Sequence, residues 1–458
     1  MAHFTPEQLT QRFVFENRYR NIAFGLIGIG LVLLLAGIFF ASQSEPSSTG
    51  GHAVAAESSI HTVADTHGEE HAKGIGNRIL SNLLLSSLYF FTITMGAVFF
   101  LVIHRVGNAG WQTAIRRVPE AISSYLPIGV ISLSAIFFFL NHIFEWAHHG
   151  ALDDPLIAAK SAYLNETFFI IRNLIFFGVW AGGAWYLRKL SIQQDGESDG
   201  VPLFRRIGTI SAIYLIFYGI SYCLFAVDWI KSLEPHWFST IFGIYVFAGT
   251  MVSSLVTMYF ITAFLKKQGY MQWVNDAHFH DIGKYAFGFT VFWGYIWVAQ
   301  YLLIWYSNIP EEGIYYVKRY RVGDHEYLGY AMFFYTNVII NFLLPFVALM
   351  TRNAKRTWVA WSSFRINLGS GEGFRIPLGG FIPIGILMLY GHWHDLYLMV
   401  MPGAMGYNPG IGLVEVGFFL TFLGIFIYAV LNALTKANLA PVNHPYLEES
   451  IHHTTGPV

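Results

Sequence analysis

The chain has 458 residues, of which 54% are hydrophobic and only 12% charged, with 41 Phe, 26 Tyr and a net charge of −1. That balance excludes an ordinary soluble domain and leaves no basic footprint for nucleic acid. The single cysteine, Cys223, excludes a Cys-x-x-Cys-His haem attachment, a four-thiolate iron–sulfur site and an internal disulfide.

The polar amino terminus carries Arg12, Arg18 and Arg20, and the first apolar run covers residues 21–40. It starts late and is too long for the apolar core of a cleavable signal. A Ser/Gly/His/Glu-rich stretch over 41–79 follows, with His52, His61, His67 and His71 at irregular spacing, which predicts a flexible external loop rather than a metal site. Nine further apolar runs lie near 80–103, 121–146, 167–187, 207–228, 239–265, 285–308, 328–350, 379–400 and 413–434. Together they predict an all-α integral membrane protein of about ten spans, one polytopic domain over 1–458. The loops that alternate with the amino terminus hold 19 Lys and Arg, and the opposite set holds 7. The asymmetry predicts both termini in the cytoplasm, with 435–458 as a cytoplasmic tail.

Polar residues inside the runs are the candidates for function, because ionisable groups at membrane depth are costly. The third run ends with His142, Glu145 and His149 at i, i+3, i+7, which helical geometry would place on one face. The fourth begins near Glu166 and carries Arg172 and Asn173, with Glu166 or a backbone carbonyl as the expected partner of Arg172. The fifth ends at Asp228, and the short link that follows holds Lys231, Glu234, Pro235 and His236, with Ser239 and Thr240 as caps for the sixth. The ninth contains His392 and Asp395, also spaced for one face, and the tenth begins with Glu415. The expectation is that His142, Glu145, Asp228, His392 and Asp395 line one outer half-channel, with Arg172 and His236 beside it. Tyr214, Tyr218 and Tyr222, with Thr250, Ser253 and Ser254, offer either an inner hydrogen-bonded path or ordinary helix–helix contacts; Gln300, Asn337 and Asn341 are further amides within spans. Glu145-x-x-His148 is a lone half of a carboxylate di-iron pattern, and a bis-histidine haem would need His142 to face His392. No internal repeat is visible in the sequence.

Two stretches carry a resemblance. Phe225-Ala-Val-Asp-Trp-Ile-Lys-Ser-Leu-Glu-Pro-His-Trp-Phe-Ser-Thr-Ile-Phe-Gly-Ile-Tyr245 is one. The other is His280-Asp-Ile-Gly-Lys-Tyr with Phe292-Trp-Gly-Tyr-Ile-Trp-Val-Ala-Gln-Tyr-Leu-Leu-Ile-Trp-Tyr-Ser-Asn-Ile-Pro-Glu-Glu312. Both resemble the NrfD-like membrane subunits of alternative complex III, a quinol:electron-acceptor oxidoreductase, over roughly residues 80–435. The resemblance implies two four-helix bundles at the centre and a place in a bacterial inner membrane. It implies a proton-conducting or quinol-site-supporting role without a cofactor in this chain, quinol or menaquinol being the ligand to consider. It also implies partners: a paralogous quinol-binding subunit, an iron–sulfur protein, c-type cytochrome subunits carrying haem c, and a terminal oxidase further on. A secondary transporter and a purely structural anchor are the alternatives.

Overall fold

The computed structural model describes residues 4–44, 74–320, 329–350, 355, 364–365, 375–376, 381–406 and 410–454. It is helical throughout, apart from a two-residue antiparallel pairing of Phe364–Arg365 with Arg375–Ile376. The long helices are α1 (Asn17–Ser44), α2 (Ile75–Val106), α3 (Arg117–Ile143, a run of α and 3-10 turns), α4 (Glu166–Gln194) and α5 (Val201–Trp229). They continue with α6 (Phe242–Lys267), α7 (Asp276–Ser307), a short α8 (Pro310–Tyr320), α9 (Ala331–Leu349), α10 (Phe381–Met405) and α11 (Leu413–Leu434). Among the described residues nine helices are long and apolar enough to cross a membrane, so the chain is a multi-pass all-α membrane protein. Helix α10 is not among the nine, although its 25 residues have the length. His392, His394 and Asp395 at its middle lower its mean hydropathy.

The helices overshoot the apolar runs because backbone hydrogen bonding continues past the hydrocarbon boundary into polar turns. Ile75–Ile79 and 41–44 are helical, which shortens the loop expected over 41–79 from both ends. Its four histidines lie outside the described residues. The third run also differs from expectation. Its helix ends at Ile143, and Phe144 is extended (φ −102°, ψ 121°), before a 3-10 turn over Glu145–Ala147. His142, Glu145 and His149 therefore share no helical face.

Contacts sort the spans into two groups of four consecutive helices. Helices α2 to α5 pack together, as do α6, α7, α9 and α10, and the groups meet where α2 touches α6 and α10 and where α5 touches α6. Helices α2 and α6 are mostly buried at this junction, while α11 lies against α2 with α1 outside it. The α1–α11 pair is antiparallel and tight. A Cβ on Gly30 would stand 2.6 Å from the Thr421 nitrogen, and one on Gly417 the same distance from the Leu34 nitrogen. Such close backbone approach is the usual device for packing helices in lipid, where no hydrophobic drive joins them. The outward faces are apolar: Ile213, Ile216 and Ile220 on α5 are each more than 60% exposed.

Helix α9 is interrupted. Residues Ile339–Leu343 form a π-turn immediately before Pro345, whose ring cannot fit a regular i to i−4 ladder. Tail residues Leu439, Ala440, Leu447 and Ile451 are buried against the bundle.

Candidate functional site

Two buried aspartates organise the polar interior, one in each group of four helices. Asp228, at the end of α5, is fully buried and accepts from every side. Arg172 on α4 donates through Nε to Oδ2 and through Nη2 to Oδ1, both at 2.8 Å. Tyr163 donates its hydroxyl at 2.8 Å and Asn173 its amide at 3.1 Å, while Trp229 fixes the Asn173 carbonyl oxygen at 2.7 Å. The Arg172 guanidinium also lies 3.9 Å from the centroid of the Tyr163 ring. This is a two-bonded buried ion pair in which Nη1 of Arg172 alone has no hydrogen-bond partner among the described residues, and Asp228 takes the place of the Glu166 or backbone-carbonyl partner expected for Arg172.

Asp395, on α10, sits in an analogous frame with no ion-pair partner among the described residues. Asn337 on α9 donates to Oδ1 at 2.8 Å, Trp293 on α7 donates to Oδ2 at 3.0 Å, and the Tyr245 hydroxyl on α6 donates to Oδ1. The carboxyl is 1% exposed. Asn341, inside the π-turn, donates to the Asn337 carbonyl oxygen at 2.6 Å and to the Gly391 carbonyl at 2.9 Å. The π-turn thus places Asn341 to hold Asn337, which bonds the aspartate, and distortions of this kind are common at functional sites.

Beside Asp395 lies a cavity of about 20 Å³, lined by Tyr245, Gln300, Tyr315, Tyr316 and Arg319 among others. A polar cavity of this size holds a single water. Arg319 forms its far wall and leads to the surface. It donates to both Glu234 carboxylate oxygens, at 3.2 and 3.0 Å, and to the carbonyls of Leu398 and Tyr315 at 3.0 and 2.7 Å. Its guanidinium carbon lies 3.4 Å from the Tyr315 ring centroid, and Tyr315 stacks on Trp237 at 3.8 Å. A second polar line runs from Tyr316 to Gln300 (3.2 Å) and from Gln300 to Ser239 (3.5 Å) in the α5–α6 link. Ser239 is spent there, and the α6 N-cap is Ile241, without a side-chain cap.

The structure disperses the expected outer half-channel. His142 is exposed and bonds only its neighbour Asn141 at 2.6 Å, and Glu145 is exposed as well. His392, one turn before Asp395, points instead at Thr92 of α2 (3.1 Å), and its ring packs 5.5 Å from Tyr89. His142 and His392 therefore cannot face each other across two spans. His236 binds Asp154 at 2.6 Å on the surface, so the link residues Asp228, Glu234 and His236 go to three separate partners. The tyrosine row is committed to packing. Tyr214 donates to the Trp180 carbonyl and Tyr218 to the Met95 carbonyl, both at 3.1 Å, while Tyr222 shares a 2.5 Å bond with Thr250. Ser253 donates to the carbonyls of Gly249 and Thr250, and Ser254 is buried where a Cβ on Gly96 would stand 2.6 Å from it. These groups join helices and form no continuous chain.

Sequence reasoning missed Arg319, Tyr245, Trp293, Tyr315 and Tyr316. A signal existed: Pro310, Glu311 and Glu312 open a helix that Lys318 and Arg319 close, the charge order a helix dipole prefers. It also missed a buried ionic cluster at the other end of the molecule. There Glu120 accepts from Arg105 (2.8 Å), Arg117 (2.6 Å) and Ser191 (2.6 Å), and Arg117 reaches Asp195 at 2.6 Å.

No protein-family model and no curated protein matches this chain.

Proposed function

We propose that this chain is a proton-conducting membrane subunit of a quinol:electron-acceptor oxidoreductase, and that Asp395 is its central proton-carrying group. The carrying observation is a buried carboxyl with three neutral donors, no ion-pair partner among the described residues, and a water-sized cavity that it shares with Arg319, which in turn holds Glu234. A carboxyl without an ion partner exchanges a proton without breaking a salt bridge, which Asp228 cannot do. Glu234, with 14% of its side chain exposed, is the exit residue.

The quinol setting rests on the resemblance of the two stretches, and their placement supports it. Glu234, Trp237 and Tyr245 come from the first stretch, Trp293 and Gln300 from the second, and all gather around Asp395 and its cavity. Two groups of four helices agree with the arrangement that the resemblance implies. On this reading α10 is a tenth span, both termini are cytoplasmic, and the protein sits in a bacterial inner membrane beside its paralogue, an iron–sulfur protein and c-type cytochromes. Isolation from native membranes tests the setting, with co-purifying multihaem cytochrome and iron–sulfur protein as the expected result. A chain that comes out alone and catalyses solute flux would instead be a transporter, a reading favoured only by the break in α9.

A further inference from the structure

A crevice of about 810 Å³ is lined by residues of α1, α2, α6, α10 and α11. Helix α1 docks almost wholly on α11 and contributes only Tyr19 and Ile22, near its start, to the lining. Between Glu415 and Leu431 of α11 the lining covers about 24 Å at the helical rise, most of the roughly 30 Å thickness of a bilayer's hydrocarbon. The walls are mostly Phe, Leu, Ile and Val, with three tyrosines, Trp393 and Thr257; among the described lining residues only Glu415 is charged, and Arg78 holds it at 2.7 and 2.9 Å. Ile22, Ile386, Tyr390 and Val416 line it while being 41% to 58% exposed, so it opens sideways, onto the bilayer.

Protein interiors do not keep voids of this size, and water does not fill apolar ones. An apolar chain from the bilayer does. One end also selects a head group. Tyr19 and Phe264 close that end with their rings 5.1 Å apart, and the exposed cations Arg18, Arg20 and Lys267 stand on the same two helix turns. We propose that this crevice is a binding site for one anionic phospholipid, its acyl chains along α11 against α6 and α10 and its phosphate at Arg18, Arg20 and Lys267, beside the end that Tyr19 and Phe264 close. This site is separate from Asp395 and stands whether or not the chain conducts protons.

Native mass spectrometry of the protein taken from membranes into detergent tests it. The unmodified chain is expected to retain one anionic phospholipid per copy after delipidation. Leu423→Trp fills the crevice from within and Val416→Trp fills its exposed mouth. Each should lower retention at least tenfold with unfolding still cooperative. The triple change Arg18→Gln, Arg20→Gln, Lys267→Gln should keep a lipid but abolish the preference for anionic over neutral head groups. The proposal is overturned if no lipid is retained, or if the Val416→Trp protein retains it undiminished. Recovery of an isoprenoid quinone in its place, with the buried and unpartnered Trp393 indole N–H in the crevice wall as its donor, overturns it too.

Discussion

Arg172 holds Asp228 through two parallel hydrogen bonds of 2.8 Å, and both side chains are buried. The second group of four helices repeats part of this frame, with Asn337 and Tyr245 on Asp395 where Asn173 and Tyr163 serve Asp228, but among the described residues no arginine bonds Asp395. Asp228 thus sits in an ion pair, whereas Asp395 is held by neutral donors alone among the described residues. Removing Arg172 strands a carboxylate in the interior. Arg172→Ala should cost about 3–5 kcal/mol of stability, read by thermal unfolding in detergent. Replacing the pair together by Met and Leu should recover most of that loss. Equal destabilisation by the single and double changes would show that the pair is not the unit of stability.

Asp395→Asn tests the proposed carrier. The side chain keeps its shape and one acceptor oxygen, so the fold should survive with a loss of about 1–3 kcal/mol for one mismatched donor. Proton release per electron in the intact, reconstituted complex should fall, whereas Glu145→Gln, at the exposed turn beyond α3, should leave it unchanged. Normal proton release with the Asp395→Asn protein would remove Asp395 from the path.

The spans were legible because lipid imposes length and apolarity, and the last, 413–434, matches α11 residue for residue. The break after Ile143 was not, because nothing in local composition distinguishes it from a continuing helix. Asp228 and Asp395 stood out as charges within apolar runs. Their partners did not, because side chains that meet across helices lie far apart in the chain, Tyr245 and Asp395 by 150 residues. His142 and Glu145 misled for a physical reason: spacing defines a face only while the helix lasts. The repeated Asn–Asp arrangement is a relation in space and leaves no matching stretch in the chain.

The α1–α11 contact gives a steric prediction. A Cβ on Gly417 would meet the Leu34 backbone nitrogen at 2.6 Å and the Gly30 carbonyl at 2.8 Å, neither of which can swing aside. Gly417→Leu should push α1 off α11, at a cost of about 1–3 kcal/mol or more. A cysteine pair placed across the contact should lose its cross-link in that background. Gly28→Leu, where nothing lies within 4 Å of the added carbon, should leave the cross-link intact.

The carboxyl-terminal tail carries a pH sensitivity of its own. His444 is buried against the Phe204 ring, 5.2 Å away, and its Nδ1 accepts the Tyr446 backbone N–H at 3.2 Å. Burial, with Arg116, Arg105 and Arg117 nearby, pushes this imidazole down to about 2, and Glu120 only partly offsets them. In the unfolded chain it titrates near the ordinary 6.5. Below that pH the released tail takes up a proton and the docked tail does not, so docking weakens as acid is added. The slope from this group is about 1.4 kcal/mol per pH unit once the pH is well below 6.5, and the effect vanishes above it. Hydrogen exchange over residues 439–452, corrected for the intrinsic rate, should show protection falling between pH 7 and 5. His444→Gln keeps an acceptor for the Tyr446 amide but carries no titrating nitrogen, so its protection should stay flat. Parallel pH profiles for the two proteins would place the acid sensitivity elsewhere in the tail.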